Sequence, residues 1–461
     1  MSEDGAENRK RVVVVGGGFA GYHAAKKLAK KVGDRAEIVL INPTDYFLYL
    51  PLLPEVASGL LDPRRITVSI PGTLPNVRLV LGTVDSVDLG DRRVAYVNPE
   101  GDRGELTYDR LLLATGSVNK LLPIPGVGQY AHGFRNVAEA LYLRDHITRQ
   151  VELADAAEDP EEREARLTFI VVGAGYTGTE VAAQGVIFTD ALLKRHPRLA
   201  GLRARWLLCD MAPRVLPGLS EHLSGTADRV LRERGVDVRM ETSVSEAKPG
   251  VVLLSDDTEL ATRTLIWCVG VRPEPVVEGL GMETKQGRLV VDEWLRVPGH
   301  PDAFACGDVA AVPDLTNPGE ITAMTAQHAE RQGSRAARNI AASLGKGRRK
   351  AYKHHDLGFV VDLGGTQAAA NPLRVPIGGF PAKAVTRGYH LMALPSNRVR
   401  TAVDWLTEAV LSRQTVQLGL VRAGDVPLDI DTAEGGAKPT LQAKPVSEAA
   451  GKTSGQQPVE A

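Results

Sequence analysis

Two glycine clusters carry the first chemical information in this chain. They are Gly16-Gly17-Gly18-Phe19-Ala20-Gly21 and Gly173-Ala174-Gly175-Tyr176-Thr177-Gly178, both with the spacing G-x-G-x-x-G. The first glycine of each (Gly16, Gly173) permits a tight turn. The second (Gly18, Gly175) lets the backbone approach a pyrophosphate, and the third (Gly21, Gly178) lets helix and strand pack closely. A helix starting there offers free N–H groups and a partial positive charge to the anion. Without a preceding strand and a following helix, the same glycines would make only a turn. Two loops imply two dinucleotides. One nicotinamide with one flavin is the economical pair, because hydride transfer needs a donor and an acceptor.

The residue ending the next strand selects the ribose. After the second loop it is Asp210, whose carboxylate accepts from a 2′-hydroxyl and repels a 2′-phosphate. That favours NADH over NADPH, and Arg214 nearby pulls the other way; an Asp capping a surface turn is the plainer alternative. After the first loop the position holds Asn42. Its amide can hydrogen-bond a diol without charge assistance, and it equally suits an Asn-Pro turn with Pro43.

These residues need elements to position them. Residues 11–15 (RVVVV) read as a buried parallel strand, followed by a helix over Tyr22–Lys31 and a strand over 37–41 (EIVLI). That is a βαβ unit. A second unit starts at Leu167, with a helix over Thr179–Phe188 and a strand over Arg205–Cys209. The two are the nearest thing to an internal repeat. The acidic stretch Glu152–Arg166 reads as a solvated helical face or connector. Short strands with Gly and Asp turns over 75–107 and 236–297 predict small antiparallel layers. Residues 433–461 have too few apolar residues to order themselves and read as a disordered tail.

Composition sets the frame. A chain of 461 residues, 43% hydrophobic and 24% charged, fits a soluble globular protein of two or three domains. A formal net charge of -1 gives no basic field for nucleic acid. The three cysteines, Cys209, Cys268 and Cys306, form no C-x-x-C or other metal spacing and suit a reducing compartment. No metal site is expected. Met1–Arg11 lacks the apolar core of a secretory signal. No apolar run reaches the length of a membrane span. The expected location is cytoplasmic, with binding to a membrane surface left open.

Other segments resemble a known superfamily. Residues 108–117 (YDRLLLATGS) and 302–310 (DAFACGDVA), with the first glycine loop, resemble the signature of two-dinucleotide-binding-domain flavoproteins. That resemblance implies an α/β fold of two Rossmann-like domains, glutathione-reductase-like. FAD would sit on the first loop, with Thr115, Gly116 and the closing pair Gly307-Asp308 among its contacts. Asp308 would hydrogen-bond the ribityl chain.

The resemblance narrows to type II NADH dehydrogenases, the single-subunit NADH:quinone oxidoreductases. It covers roughly residues 10–345 and, more weakly, the chain to about 420. GAGYTGTEVAAQ from Gly173, the run Asp210-Met211-Ala212-Pro213-Arg214-Val215-Leu216-Pro217, and Ala326-Gln327-His328-Ala329-Glu330-Arg331-Gln332-Gly333 carry it. By resemblance, Glu180 lies near nicotinamide and flavin and helps couple the half-reactions, and Gln327 lies beside flavin and quinone. A Gln near a helix start can both donate to and accept from a quinone carbonyl, and the positive helix end favours the charge of a reduced flavin. A first-turn Glu and a polar helix start with no ligand are the plainer alternatives.

The implied organisation is an FAD domain from 10–118 and 298–345, an NADH domain over 119–297, and a C-terminal membrane or dimerisation region over 350–425. The implied activity is FAD-dependent, non-proton-pumping transfer of electrons from NADH to a membrane quinone. Three other readings share the loops: a soluble NAD(P)H-dependent flavin reductase with another acceptor, a sulfide:quinone oxidoreductase with cysteines at the flavin, and a redox sensor without turnover. In the C-terminal region, Ala382–Leu394 and Val399–Leu411 place Val385, Tyr389, Met392 and Val403, Leu406, Val410 at helical spacing. Arg374, Lys383, Arg387, Arg398, Arg400 and Arg413 flank them. That pattern suits an anionic lipid surface, peripheral on the inner face of the cell membrane. Packing on the protein's own body or in a homodimer suits it equally.

Overall fold

A computed structural model describes residues 9–355, 357–411 and 413–428. The valine run forms β1 (Lys10–Val15), buried on both faces in the middle of a six-stranded sheet. The order is Arg296–Val297, His300–Ala305, Arg110–Leu113, β1, β2 (Ala36–Asn42), Arg78–Leu81. All neighbours are parallel except the first pair. Helix α1 (Phe19–Val32) returns the chain from β1 to β2. β1 is thus flanked by β2 on one side and Arg110–Leu113 on the other, which opens a crevice at the carboxyl ends of the strands. Past β2 the chain runs through a segment containing the short helix α2 (Leu53–Ala57).

The second sheet repeats the plan. Its strands are Ala131–His132, Thr264–Trp267, β3 (Thr168–Val172), β4 (Arg205–Asp210) and Val236–Met240, all parallel. Helix α3 (Tyr176–Leu193) links β3 to β4. Three-stranded antiparallel layers follow, at Thr83–Asp88, Arg93–Val97 and Arg103–Thr107, and at Val244–Lys248, Val251–Leu254 and Glu259–Ala261. The expected antiparallel layers are therefore present but shorter. Arg78–Leu81 and Val236–Met240 each extend a parallel sheet instead, because a helix precedes each and carries the chain across.

The acidic stretch is helical and largely exposed, as expected. It is the end of a packed helix, Val137–Ala156, and then a new one, Pro160–Arg166. Within the stretch only Ala154 and Ala165 are buried, and the rest is a largely solvated helical face. Pro160 at the first helical position and Asp159 capping the Glu161 N–H start the second helix.

Helix α4 (Ala326–Ser343) crosses α1 at close range. A Cβ on Gly333 would lie 2.0 Å from the Ala20 carbonyl oxygen, so only glycine fits there. Beyond it, β5 (Val360–Asp362) joins a small antiparallel sheet with Ala368–Ala370 and Ile377–Gly378. Helices α5 (Gly379–Ala393) and α6 (Arg398–Val410) complete the described chain's helical end. Both are tied to the segment after β2. Tyr49 pairs its hydroxyl with His390 Nδ1 at 3.0 Å, Arg65 meets Asp404 at 2.7 Å, and Trp405 Nε1 donates to Glu55 Oε2 at 2.6 Å.

The helix pair is two-faced. Ala382, Thr386, His390, Thr401 and Trp405 are buried, while Phe380, Met392, Val399, Leu406 and Val410 are exposed. The basic face is smaller than the sequence suggests. Lys383 and Arg413 are buried in pairs with Asp362 and Glu408, and Arg387 lies over the Trp405 ring at 4.9 Å. Arg374, Arg398 and Arg400 remain exposed. Among the described residues no helix is long and apolar enough to cross a membrane. The tail expected at 433–461 lies outside the described residues.

Candidate active site

The two glycine loops have the same build. Gly16 and Gly173 adopt φ of 95° and 104°, a region that favours glycine. A Cβ on Gly21 would meet the Gly16 carbonyl oxygen at 1.7 Å, and one on Gly178 would meet that of Gly173 at 1.8 Å. These glycines are required by the protein itself. Gly18 and Gly175 are different: nothing lies within 4 Å of a Cβ placed there. Open space at that position, on a helix N-cap, is a cradle for an approaching group. Both helices lack a side-chain cap and an acidic residue in the first turn. Their first N–H groups are therefore available to an anion.

Asn42 and Asp210 hold the loops. Asn42 Oδ1 accepts from the Gly17 N–H at 2.7 Å, and its Nδ2 donates to the Thr44 carbonyl at 2.8 Å and hydroxyl at 3.0 Å. Asp210 accepts from the Ala174 N–H at 2.6 Å and the Ala212 N–H at 2.8 Å. The chain bends over Pro43–Asp45, and the Asn42 amide also grips the glycine loop. Both its N–H groups are committed to Thr44, which leaves only acceptor capacity for a ligand.

At the first crevice, Thr115 Oγ1 is buried and has no hydrogen-bond partner, and Gly116 stands in open space at φ 81°. Gly307 packs on Ala20 of α1, and its N–H donates to Gln332 Oε1 at 2.8 Å. Asp308 is held from two sides. Ser117 Oγ donates to its Oδ2 at 2.7 Å, and Arg288 Nε donates to its carbonyl at 3.1 Å. Gln332 and Arg288 were not singled out as site residues by sequence reasoning. Gln332 lies in the α4 run Ala326–Gly333, and nothing in that local sequence signals that its amide is fully buried.

Gln327 and Glu180 sit on different elements but grip one segment. Gln327, the second residue of α4, donates from Nε2 to the Gly358 carbonyl, and its buried Oε1 has no partner. Glu180, in the second turn of α3, accepts the Asp362 N–H at 2.8 Å. Between these points Phe359 meets the Tyr176 ring edge-on at 6.2 Å. Beneath lies a buried polar cluster: Lys383 pairs with Asp362, and Gln184 Nε2 donates to Asp362 at 3.4 Å. Desolvation holds the Glu180 carboxyl well above the usual carboxylate range, with Asp362 and Glu55 adding to the rise and the Asp362 N–H opposing it.

The cysteines are mostly enclosed, with Cys268 half-buried beside Gly178. Cys209 and Cys306 are buried, and burial pushes the Cys209 and Cys268 thiols up to about 12. Thiols so raised are poor carriers of sulfur. Among the described residues no group of His, Cys, Asp and Glu could hold a metal ion.

The pyridine nucleotide-disulphide oxidoreductase family is matched over residues 10–333. The chain is 33% identical over 414 residues to the type II NADH:quinone oxidoreductase NdhA of Mycobacterium tuberculosis, covering 86% of this chain and 85% of that protein. It is 31% identical to the type II NADH:quinone oxidoreductase of Staphylococcus haemolyticus, covering 78% and 89%. Among solved structures, NDH2 from Plasmodium falciparum in complex with NADH superposes with a TM-score of 0.81 at 19% identity, covering 89% of this chain and 100% of that one.

Proposed function

The chain belongs to the type II NADH:quinone oxidoreductases within the pyridine nucleotide-disulphide oxidoreductase family, and on that basis we propose how its residues divide the work. It is an FAD-dependent NADH:quinone oxidoreductase. Bound FAD supplies a hydride acceptor that returns two electrons to a quinone. In our reading, the first loop (Gly16, Gly18, Gly21) with Asn42, Thr115, Gly116, Gly307 and Asp308 holds FAD. The second loop (Gly173, Gly175, Gly178) with Asp210 holds NADH. The FAD-holding part is 10–118 with 298–345, the NADH-holding part 119–297, and 350–425 docks the protein.

One observation carries this reading. Gln327 and Glu180 are joined through the single segment Gly358–Asp362, so the acceptor side and the nicotinamide side share one support. The unpartnered Gln327 Oε1 and Thr115 Oγ1 are the buried polar atoms a ligand would satisfy. The burial of Cys209 and Cys306 weighs against sulfide as substrate.

For location, we propose a peripheral membrane protein on the inner face of the cell membrane. The outward residues Phe380, Met392, Val399, Leu406 and Val410 form an apolar stripe with Arg374, Arg398 and Arg400 close by, which suits an anionic lipid surface. A homodimer through the same stripe is the competing use. The activity is tested by purifying the yellow protein and following NADH oxidation with and without a short-chain quinone. Fast quinone-dependent oxidation is expected; oxidation indifferent to quinone would contradict it.

A further inference from the structure

A quinone becomes a quinol by taking two electrons and two protons, whereas NADH gives a hydride, which brings two electrons and one proton. One proton per turnover therefore comes from water. The site must hold it somewhere beneath the surface.

Glu55 is built for that. It lies on α2 and is 2% exposed. Trp405 Nε1 on α6 donates to its Oε2 at 2.6 Å, and its Oε1 has no hydrogen-bond partner. A carboxylate left with one bond in such a place is costly, and a proton removes the charge. The charged groups around it come from four elements. Asp362 on β5 and Glu180 on α3 oppose its ionisation; Lys383 and Arg387 on α5 favour it. Lys383 is already paired with Asp362, and Arg387 lies over the Trp405 ring. Arg144, on the helix Val137–Ala156 that packs on α2, faces Gly59 and Asp145. His390 pairs with Tyr49, and burial holds it neutral. Three carboxyl groups thus share one lysine, and they cannot all be ionised together.

We propose that Glu55 is a proton-holding residue for quinone reduction, set beside the Glu180–Asp362–Lys383 cluster where α2 packs on α3, with Trp405 setting its state from α6. This rests on the quinone-reductase activity above.

Infrared spectroscopy of the purified holoenzyme across pH tests this without relying on turnover. The wild type is expected to show a protonated-carboxyl band that fades as pH rises through about 7. Glu55→Gln should lose the component that titrates at about 7 and keep that of Glu180. Trp405→Phe should keep the Glu55 component with a higher midpoint, since the lost indole bond favours the charged form. Quinone-dependent turnover of Glu55→Gln should fall by roughly tenfold, less than for an acid touching the substrate, and lose the wild-type pH profile. The same titrating band in Glu55→Gln, or an unchanged pH profile in both variants, would overturn the proposal. If Glu55→Gln does not hold its flavin, the midpoint shift in Trp405→Phe decides. A wild type that shows the Glu55 band but reduces no quinone overturns the activity reading, and with it the destination of the proton, but not the proton held on Glu55.

Discussion

Asn42 and Asp210 do the same structural job in the two βαβ units. Each ends the second strand, and each accepts the N–H of the residue after the loop's first glycine, Gly17 at 2.7 Å and Ala174 at 2.6 Å. They differ by one charge. Asn42 presents a neutral amide to its crevice, and Asp210 presents a carboxylate. The two crevices thus differ in their electrostatics while their backbone geometry stays alike.

Asp210→Ala removes the charge that would repel a 2′-phosphate. The ratio of kcat/KM for NADH to that for NADPH should fall about tenfold, equivalent to ~1.4 kcal/mol. Steady-state kinetics with both nucleotides checks this, and an unchanged ratio would sink the ribose assignment.

The glycines separate fold from ligand. Gly178→Ala drives a Cβ into the Gly173 carbonyl, so it should cost about 1–3 kcal/mol and lower Tm. Gly175→Ala meets no protein atom within 4 Å and should leave Tm unchanged. Its methyl would instead occupy the phosphate cradle and raise the KM for NADH about tenfold. Equal Tm losses in the two variants would contradict the cradle.

Stability should depend on pH through the buried acids. Burial pushes Glu55 from 4.5 to about 7 and Glu180 well above 4.5. Between those values the folded state binds more protons than the unfolded one, so stability falls as pH climbs through the window. Glu55→Gln, whose amide oxygen can still accept from Trp405, removes part of that penalty. Calorimetry at about pH 5 and about pH 8 should show the variant gaining on the wild type at the higher pH. A constant difference would mean that Glu55 does not titrate there.

The outward stripe is tested by Val403→Asp with Leu406→Asp, both exposed on α6. Vesicles containing anionic phospholipid should lose the double variant on sedimentation, while its rate with a water-soluble quinone persists. Undiminished vesicle binding would argue against lipid docking, and a changed sedimentation coefficient without lipid would point to a dimer face.

Much of this was legible from local pattern. The valine run, the two glycine spacings and the residue after each second strand fixed both βαβ units to within a few residues, because their constraints lie within one turn or register. The amphipathic spacing of α5 and α6 was readable too, but which basic residues face outward was not. Lys383 and Arg413 are turned inward by Asp362 and Glu408, partners that only the fold identifies. Glu55 illustrates the same limit: a glutamate in a Pro-flanked turn meets Trp405, 350 positions away. Gln332 lies in the Ala326–Gly333 run, yet its hold on Gly307 depends on how closely α4 crosses α1.

The central claim is that Gln327 serves the acceptor side of a two-step reaction. The direct test is stopped-flow spectroscopy of Gln327→Ala, scoring flavin bleaching by NADH and its recovery on mixing with a short-chain quinone. Bleaching at the wild-type rate with recovery slowed roughly tenfold or more is the predicted result. Recovery at the wild-type rate, or equal slowing of both steps, would contradict it.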